Sequence, residues 1–360
     1  MLLKNEFSFQ KKSKIKAGEG KKEGRYPFFT SSDTKVLYID DFLFDNEAVI
    51  LGTGGMPSCN YYNGKFAVST DNFVLTSKGN ILTKVLYYFL RNNNLSILAE
   101  GFHGAGLKHI GKDYIENIDI PFISKQNQIK LVTELDGISE LIKNADFQIQ
   151  KLDELVKSRF IEMFGNCDNK IRLEELSALI TKGSSPKWQG IDYVDDGVLF
   201  VTSENVREGF IDISNPKYLE EKVNIKQPRS ILKRGDVLIN IVGASIGSAA
   251  SYDYDFLANI NQAVSLVRPN DKINIIYLIT FLNTENAMMQ YKNNAKGGAR
   301  DNLSLKNISD LIIPFPDAKE QNEFADFVRL IDKSKFILHK QKKNLEELYE
   351  SKLHEYFGDW

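Results

Sequence analysis

Residues 120–165 read IPFISKQNQIKLVTELDGISELIKNADFQIQKLDELVKSRFIEMFG, and residues 313–358 read IPFPDAKEQNEFADFVRLIDKSKFILHKQKKNLEELYESKLHEYFG. Both open on Ile-Pro-Phe and close on Phe-Gly. Extended upstream to Gly104 and Gly297, the two stretches stay in step at an offset of 193 residues with no gap. Ile115 falls on Ile308, Gln128 on Gln321, and Leu152, Glu154 and Leu155 on Leu345, Glu347 and Leu348. A fixed offset held over about sixty positions marks a duplicated unit. Two copies make a tandem of two modules, not a solenoid.

Ile115, Ile118 and Ile120 predict a short strand running into the turn at Pro121. From 126 to 164 there is no proline and a single glycine, Gly137. Apolar residues recur at Leu135, Ile138, Ile142, Ala145, Ile149, Leu152 and Val156, in alternating steps of three and four that define a heptad seam. The second copy keeps Phe324, Val328, Ile331, Leu338, Leu345 and Tyr349 but places Lys335 and Lys342 on seam positions. Helices of about 40 residues reach roughly 60 Å. Such a helix could belong to a bundle inside one domain. Each one follows a full-sized non-helical module, however, and this favours an antiparallel pair acting as a spacer. The expected pairing residues are Leu135, Ile142, Ile149, Leu152 and Val156 on one helix and Val328, Ile331, Leu338, Leu345 and Tyr349 on the other. The expected boundaries are 1–124 for the first module, 125–165 for its helix, 166–316 for the second module and 317–360 for its helix.

A chain of 360 residues holds two or three domains. Its hydrophobic content of 42% is that of an ordinary globular protein. The net charge of −2 argues against a chain coated in positive charge. It leaves nucleic-acid binding open, because what matters is where charge clusters. Cys59 and Cys167 lie far apart without metal-ligand spacing, and the four histidines form no cluster. No metal and no cofactor is expected, and a reducing, cytoplasmic setting follows. Residues 1–9 are too short and polar for a signal peptide, and no apolar run approaches the roughly 18 residues of a membrane span.

The first module opens on a basic run, Lys4, Lys11, Lys12, Lys14, Lys16, Lys21, Lys22 and Arg25, broken by Gly18, Gly20 and Gly24. Tyr26-Pro27-Phe28-Phe29 is an aromatic anchor leading into the hydroxyl-rich turn Thr30-Ser31-Ser32. Strands are expected at 35–39, 48–51, 65–68 and 72–76, and a helix at 81–91. The glycine-rich segment 101–106 leads into the duplicated stretch. After a polar joint, Asn166-Cys167-Asp168-Asn169-Lys170, the second module repeats the plan in different letters. Residues 171–180 lead in, strands are expected at 198–202, 237–242 and 263–268, a helix at 273–283, and a glycine-rich loop at Lys296-Gly297-Gly298-Ala299-Arg300.

Known catalytic signatures are missing. Gly52-Thr53-Gly54-Gly55 and Gly243-Ala244-Ser245-Ile246-Gly247 lack the phosphate-loop lysine and open no helix, so they read as tight turns where backbone approaches something closely. Pro316-Asp317-Ala318-Lys319-Glu320 resembles a nuclease core only superficially, and Asp317 is better explained as a helix N-cap. No Gly-x-Ser-x-Gly elbow, His-Glu-x-x-His helix, Cys-x-x-Cys pair or methyl-transfer signature is present. Together these absences favour a binding protein. The polar turns carry the interest. Lys12, Lys16, Lys21 and Lys22 with Thr30, Ser31 and Ser32 could clamp phosphates and reach base edges. So could Lys182, Ser184, Ser185, Lys187, Thr202, Ser203, Asn205 and Arg207 in the second module, with Asn259, Asn261 and Gln262. Lysine and arginine hold the backbone, and Asn, Gln, Ser and Arg read bases. Each of these residues taken singly reads more readily as part of an ordinary solvated loop; the loops taken as a set favour the binding role.

Over nearly its whole length the chain resembles a type I restriction-modification specificity subunit. The marks are the Ile-Pro-Phe turns leading on to Gln128 and Gln321, each opening a long helix, with Gly104 and Gly297 before the turn. The tandem layout, Lys182-Gly183, and the stretch from Tyr26 to Ser32, which is similar to one variant of the family's target-recognition domain, add to it. In one place the chain departs from the pattern: the first module lacks the clear lead-in that 171–180 gives the second, so that either its N-terminus is shortened or its lead-in is degenerate.

The resemblance implies an α+β fold, with two tandem α/β target-recognition domains separated by two long antiparallel helices forming a coiled coil. It implies that each domain reads one half of a split double-stranded DNA sequence. The helices would set the unread gap and dock two methyltransferase subunits, and through them the restriction motor-nuclease subunits, with no catalysis in this chain. Two other classes stay open. One is a non-catalytic coiled-coil adaptor with two ligand-binding heads, the other the specificity part of a different restriction or methylation system.

Overall fold

The computed structural model describes residues 1–294 and 302–358. The glycine-rich stretch 296–300, and with it Gly297, lies outside the described residues. The chain divides into two units, one formed by Met1–Phe147 with His339–Trp360 and the other by Gln148–Leu338.

In the first unit, α1 (Leu3–Glu6) and β1 (Phe7–Phe9) precede β2 (Tyr26–Phe29), β3 (Val36–Ile39), β4 (Phe44–Gly52), β5 (Ser58–Val68) and β6 (Asn72–Ser77). They form one sheet in the order β1-β6-β4-β5-β2-β3. Strands alternate their side chains between two faces, and β4 shows why 48–51 is apolar without a break. Val49 and Leu51 pack with Val85, Leu86 and Phe89 of α2 (Thr83–Arg91), while Ala48 and Ile50 pack with Phe29, Phe66, Val68 and Val74. A strand covered on both sides must be apolar on both. The helix α3 (Ser96–Glu100), the hairpin β7 (Phe102–His103) and β8 (His109–Ile110), and α4 (Lys112–Glu116) complete the unit. Ile115 is therefore helical and not part of a strand; beyond it, only Asp119 makes an isolated bridge, to Leu2.

In the second unit, β9 (Lys170–Arg172) occupies the end of the supposed polar joint and pairs with β18 (Ile312–Pro314). Then follow β10 (Ser177–Lys182), β11 (Tyr193–Val194), β12 (Val198–Val201), β13 (Tyr218–Leu219), α6 (Lys222–Lys226), β14 (Val237–Asn240), β15 (Ala249–Ser251), β16 (Ala258–Ile260) and β17 (Val264–Pro269). Two sheets result, β10-β17-β14-β15 and β11-β13-β12-β16. On β14, Val237 and Ile239 face α7 (Ile275–Leu282), and Leu238 faces the cluster of Val201, Tyr252 and Leu266. The helices α8 (Glu285–Asn294) and α9 (Leu305–Ser309) lead to β18.

The two units share one topology. The pairings β1·β6, β6·β4 and β4·β5 recur as β10·β17, β17·β14 and β14·β15, and the parallel pair β2·β5 recurs as β12·β16. The long strand β5 of the first unit is two strands, β15 and β16, in the second. The first unit also has the lead-in that its sequence hides. Leu3 N donates to Ile118 O at 2.9 Å as Leu173 N donates to Leu311 O at 2.9 Å, and a helical turn and a strand follow in both. The pairing beside it is shorter, one bridge at Leu2 where β9 keeps three pairs.

The helices α5 (Lys125–Phe164) and α10 (Ala318–Phe357) are each 40 residues long. In the first unit Lys342 pairs with Asp146 at 2.7 Å and Lys352 with Glu134 at 3.3 Å. In the second, Lys335 pairs with Asp153 at 2.6 Å. There Phe324 also meets Phe160, ring centroids 5.4 Å apart, so in each unit one number rises as the other falls and the helices run antiparallel. Leu135, Val328 and Ile331 are buried on them; Ile142, Ile149, Leu152, Val156, Leu338, Leu345 and Tyr349 are half-buried. The two seam lysines, half-buried themselves, reach out to aspartates. The far ends enter the cores, Leu353 and Phe357 in the first unit and Phe160 and Phe164 in the second. Each such side chain contributes about 1.5–3 kcal/mol by burial. Asp317 caps α10: its Oδ1 accepts from Glu320 N at 2.9 Å and Glu320 Oε2 accepts from Asp317 N at 3.3 Å, a capping box.

Candidate nucleic-acid interface

Among the described residues each unit shows one parallel strand pair, and the polar turns follow its ends. In the first unit Phe29 lies opposite Val68, and Ser69 N donates to Phe29 O at 2.9 Å. In the second, Val201 lies opposite Ile260, and Asn261 N donates to Val201 O at 3.1 Å. Thr30, Ser31 and Ser32 therefore stand where Thr202 and Ser203 stand.

Several of these side chains are committed to shaping the turns. Ser31 Oγ donates to Asp71 O at 2.6 Å, and Ser32 Oγ accepts from Lys35 N at 3.1 Å. A Cβ on Gly52 would lie 2.9 Å from Ser31 Cα, so the glycine permits the close approach expected of its turn. In the second unit Asn205 Oδ1 accepts from Thr202 N at 2.8 Å, and its Nδ2 donates to Asp212 O at 2.9 Å. Asn240 Nδ2 donates to Ser203 O and Val206 O, each at 3.1 Å. Asn261 Oδ1 accepts from Ala263 N at 3.0 Å, and Gln227 Oε1 accepts from Ser184 N at 3.0 Å. A Cβ on Gly183 would fall 1.8 Å from Ile260 O, which presses residues 182–184 against the end of β16. Asn205 and Asn259 are buried, with Asn259 Oδ1 accepting from Ser230 Oγ at 2.7 Å. These two work inside the fold instead of offering their amides to a ligand.

The side chains left facing solvent are mostly cationic. Lys182, Lys187, Arg207 and Gln262 are exposed in the second unit, with Ser184, Ser185 and Ser203 half-exposed. Lys217 hydrogen-bonds Glu204 at 2.7 Å and holds that carboxyl below its usual range, cancelling one negative charge beside Arg207. In the first unit the basic run is not gathered. Lys12 sits 5.5 Å above the ring of Phe73 on β6, while Lys21 bridges to Tyr38 on β3, at the opposite side of the sheet. The Lys21 ammonium hydrogen-bonds Asp40 at 2.7 Å, and this bond and the charge of Asp40 raise its pKa. Lys16 and Lys22 are exposed and Thr30 half-exposed.

One residue on this side escaped the reading of the sequence. Trp188, in the turn that follows Ser184 and Ser185, is 87% exposed, although Pro186 and Ile191 around it are buried. An indole held out to solvent from an anchored loop is a frequent feature of binding surfaces. Its signal was the tryptophan beside Lys187 in a loop without Asp or Glu.

Among the described residues, no group of three or more His, Cys, Asp or Glu is placed to hold a metal ion, and no helix is long and apolar enough to cross a membrane.

The family described as "Type I restriction modification DNA specificity domain" matches residues 3–155 and again 173–347. The specificity subunit of the type I restriction enzyme MjaVIII from Methanocaldococcus jannaschii is 22% identical, covering 90% of this chain and 83% of that one. The EcoBI specificity subunit from Escherichia coli is 26% identical over 67% of this chain and 57% of its own length. Among solved structures, the S subunit of a type I restriction-modification system from M. genitalium superposes with a TM-score of 0.63 at 16% identity, covering 100% of this chain and 96% of that one. A chain from a study of complex assembly and conformational transition of the type I R-M system gives 0.57 at 16% identity, covering 93% and 91%. With two matches that together take in most of its length, this chain belongs to the type I restriction-modification DNA specificity family.

Proposed function

We propose that this chain is the DNA sequence-specificity subunit of a type I restriction-modification complex, working in the cytoplasm and without catalysis of its own. Each module reads one half of a bipartite double-stranded DNA site, through the rim beyond its parallel strand pair. Lysine and arginine on that rim hold phosphates, and Gln262, the serines and Trp188 lie against the bases or sugars. The long helices set the unread gap and dock two methyltransferase subunits, one per half, and through them the motor-nuclease subunits. The domain boundaries follow as 1–124 and 166–316 for the recognition domains, with 125–165 and 317–360 as helices.

The observation that carries this reading is the recurrence of one strand topology around rims that differ in sequence. Two frames of one design with different surfaces are what a protein needs to read two unlike sequences. The test exchanges residues 1–124 for those of another family member and maps the methylated motif. One half of the motif changes and the other half stays. A change in both halves, or in neither, contradicts modular readout.

A further inference from the structure

Gln128 and Gln321 occupy equivalent positions of the duplicated stretch, and both are almost wholly buried, at 2% and 1% exposure. A buried primary amide is tolerated only when its polar atoms find partners. In the first unit, Gln128 Oε1 accepts from Leu82 N at 2.8 Å, and Nε2 donates to Asn80 O at 3.1 Å and Ile123 O at 2.9 Å. In the second, Gln321 Oε1 accepts from Asn274 N at 2.9 Å, and Nε2 donates to Pro316 O at 3.0 Å. Leu82 and Asn274 are the N-cap residues of α2 and α7. One amide thus ties the first turn of each long helix to the start of its module's own helix and to the turn just upstream.

The side chains around the two amides differ, Leu82 against Asn274 and Ile123 against Pro316, while two contacts recur, from the N-cap N–H and to the carbonyl just upstream, because those partner atoms are main chain; Gln128 adds a bond to Asn80 O. A leucine or methionine would fill the same space. What glutamine adds is an acceptor and a donor at one tip, which fixes direction as well as distance. Filling a core does not require this; fixing the angle between two elements does.

The geometry points to Gln128 and Gln321 as positioning residues that set the angle between each recognition module and its long helix, and through it the gap accepted between the two halves of the DNA site. This rests on the reading of the chain as a specificity subunit. Neither amide contacts DNA; each acts through the helix that carries it.

The experiment expresses the full chain with its methyltransferase subunits and maps methylated motifs by long-read sequencing. The wild-type protein yields a bipartite motif with one gap. Gln128→Met and Gln321→Met each keep the bases of both halves, while methylation at sites whose gap differs by one base pair rises about tenfold, as expected when a buried hydrogen-bonded group worth on the order of 1.4 kcal/mol is lost. Gln128→Asn keeps a neutral donor and acceptor on a shorter arm and gives a smaller rise; it decides the matter should the methionine variants fail to fold. A purely structural role would lower the melting temperature and reduce methylation at every gap alike, and that result overturns the inference. A wild-type protein with no bipartite motif would instead overturn the specificity-subunit reading itself, so the two failures are distinguishable.

Discussion

The first unit carries β5 as a single strand of 11 residues that joins the antiparallel and parallel parts of its sheet. The second breaks the same course into β15 and β16. Between them Tyr252 OH donates to Phe256 O at 2.6 Å, and Tyr252, Tyr254 and Phe256 pack in tilted and edge-to-face contacts with ring centroids 5.2–6.2 Å apart. Strand order survives this break. What holds the frame constant is therefore not the continuity of any one strand but the set of neighbours each strand must cover, together with the long-helix end that plugs each core. The rim beyond the parallel pair is under no such constraint, and there Thr30-Ser31-Ser32 stands against Thr202-Ser203-Glu204.

The largest expected effect tests the plugs. Phe164 and Phe357 are equivalent in the duplicated stretch, and both are buried. Phe164 packs its ring against Phe160, Tyr277 and Phe324 at 5.2, 4.9 and 5.6 Å, and Phe357 against Phe89 at 5.5 Å. Truncation to alanine costs each unit about 3–5 kcal/mol. Thermal or denaturant unfolding of the two variants should place Phe164→Ala at the upper end of that range, because aromatic pairs add to area burial. A larger loss at Phe357→Ala would reverse the ranking of the two cores.

A smaller effect separates the two rims. Lys182→Ala and Lys187→Ala should each reduce the slope of log K against log salt by about 1, the signature of one lost phosphate contact. Lys21→Ala should leave the slope nearly unchanged, because the ammonium is already engaged by Asp40. DNA titrations at several salt concentrations measure all three. Equal slopes for Lys21→Ala and Lys182→Ala would mean that the first unit binds through its basic run after all.

Why the sequence disclosed some of this and not the rest follows from the range of each signal. The long helices were legible because a heptad seam is written locally, residue by residue. So was Asp317, whose cap involves only the next turn. Ile115 was misread because Ile115, Ile118 and Ile120 step by three and then two, a spacing that short helices and strands share. The resemblance of residues 1–9 to the second module's lead-in depends on partners more than a hundred residues away at Ile118 and Asp119, and the parallel pairs on strands that share little beyond Phe28 and Phe200. The basic run looked like a patch in one dimension because charge clustering along a chain says nothing of which sheet edge each lysine reaches. Asn205 and Asn259 read as base-reading amides because nothing in the sequence distinguishes an amide that holds a turn from one that faces a ligand.

The smallest effect concerns the helices, where the comparison is between Ile142 and Ile149 on α5 and their equivalents Lys335 and Lys342 on α10. Lys335 pairs with Asp153 and Lys342 with Asp146, and the hydrogen bond that Lys342 donates to Asp146 raises the lysine's pKa above its ordinary 10.5. Whatever stability that ammonium gains is complete below its ordinary pKa and is lost only as pH rises past the higher folded value, so it does not vary near neutrality. Pairs this accessible to water contribute little, about 0–1 kcal/mol, and an apolar side chain on a seam gains about as much by burial. Replacing both lysines by leucine should therefore leave stability at neutral pH unchanged or raise it by up to about 1 kcal/mol. The reversal Asp153→Lys, which sets two ammonium groups against each other, should lower it. Denaturant unfolding of the three proteins decides. If the leucine variant loses more than about 2 kcal/mol, beyond what exposed pairs supply, the lysines hold the two helices together in a way that their isoleucine counterparts do not.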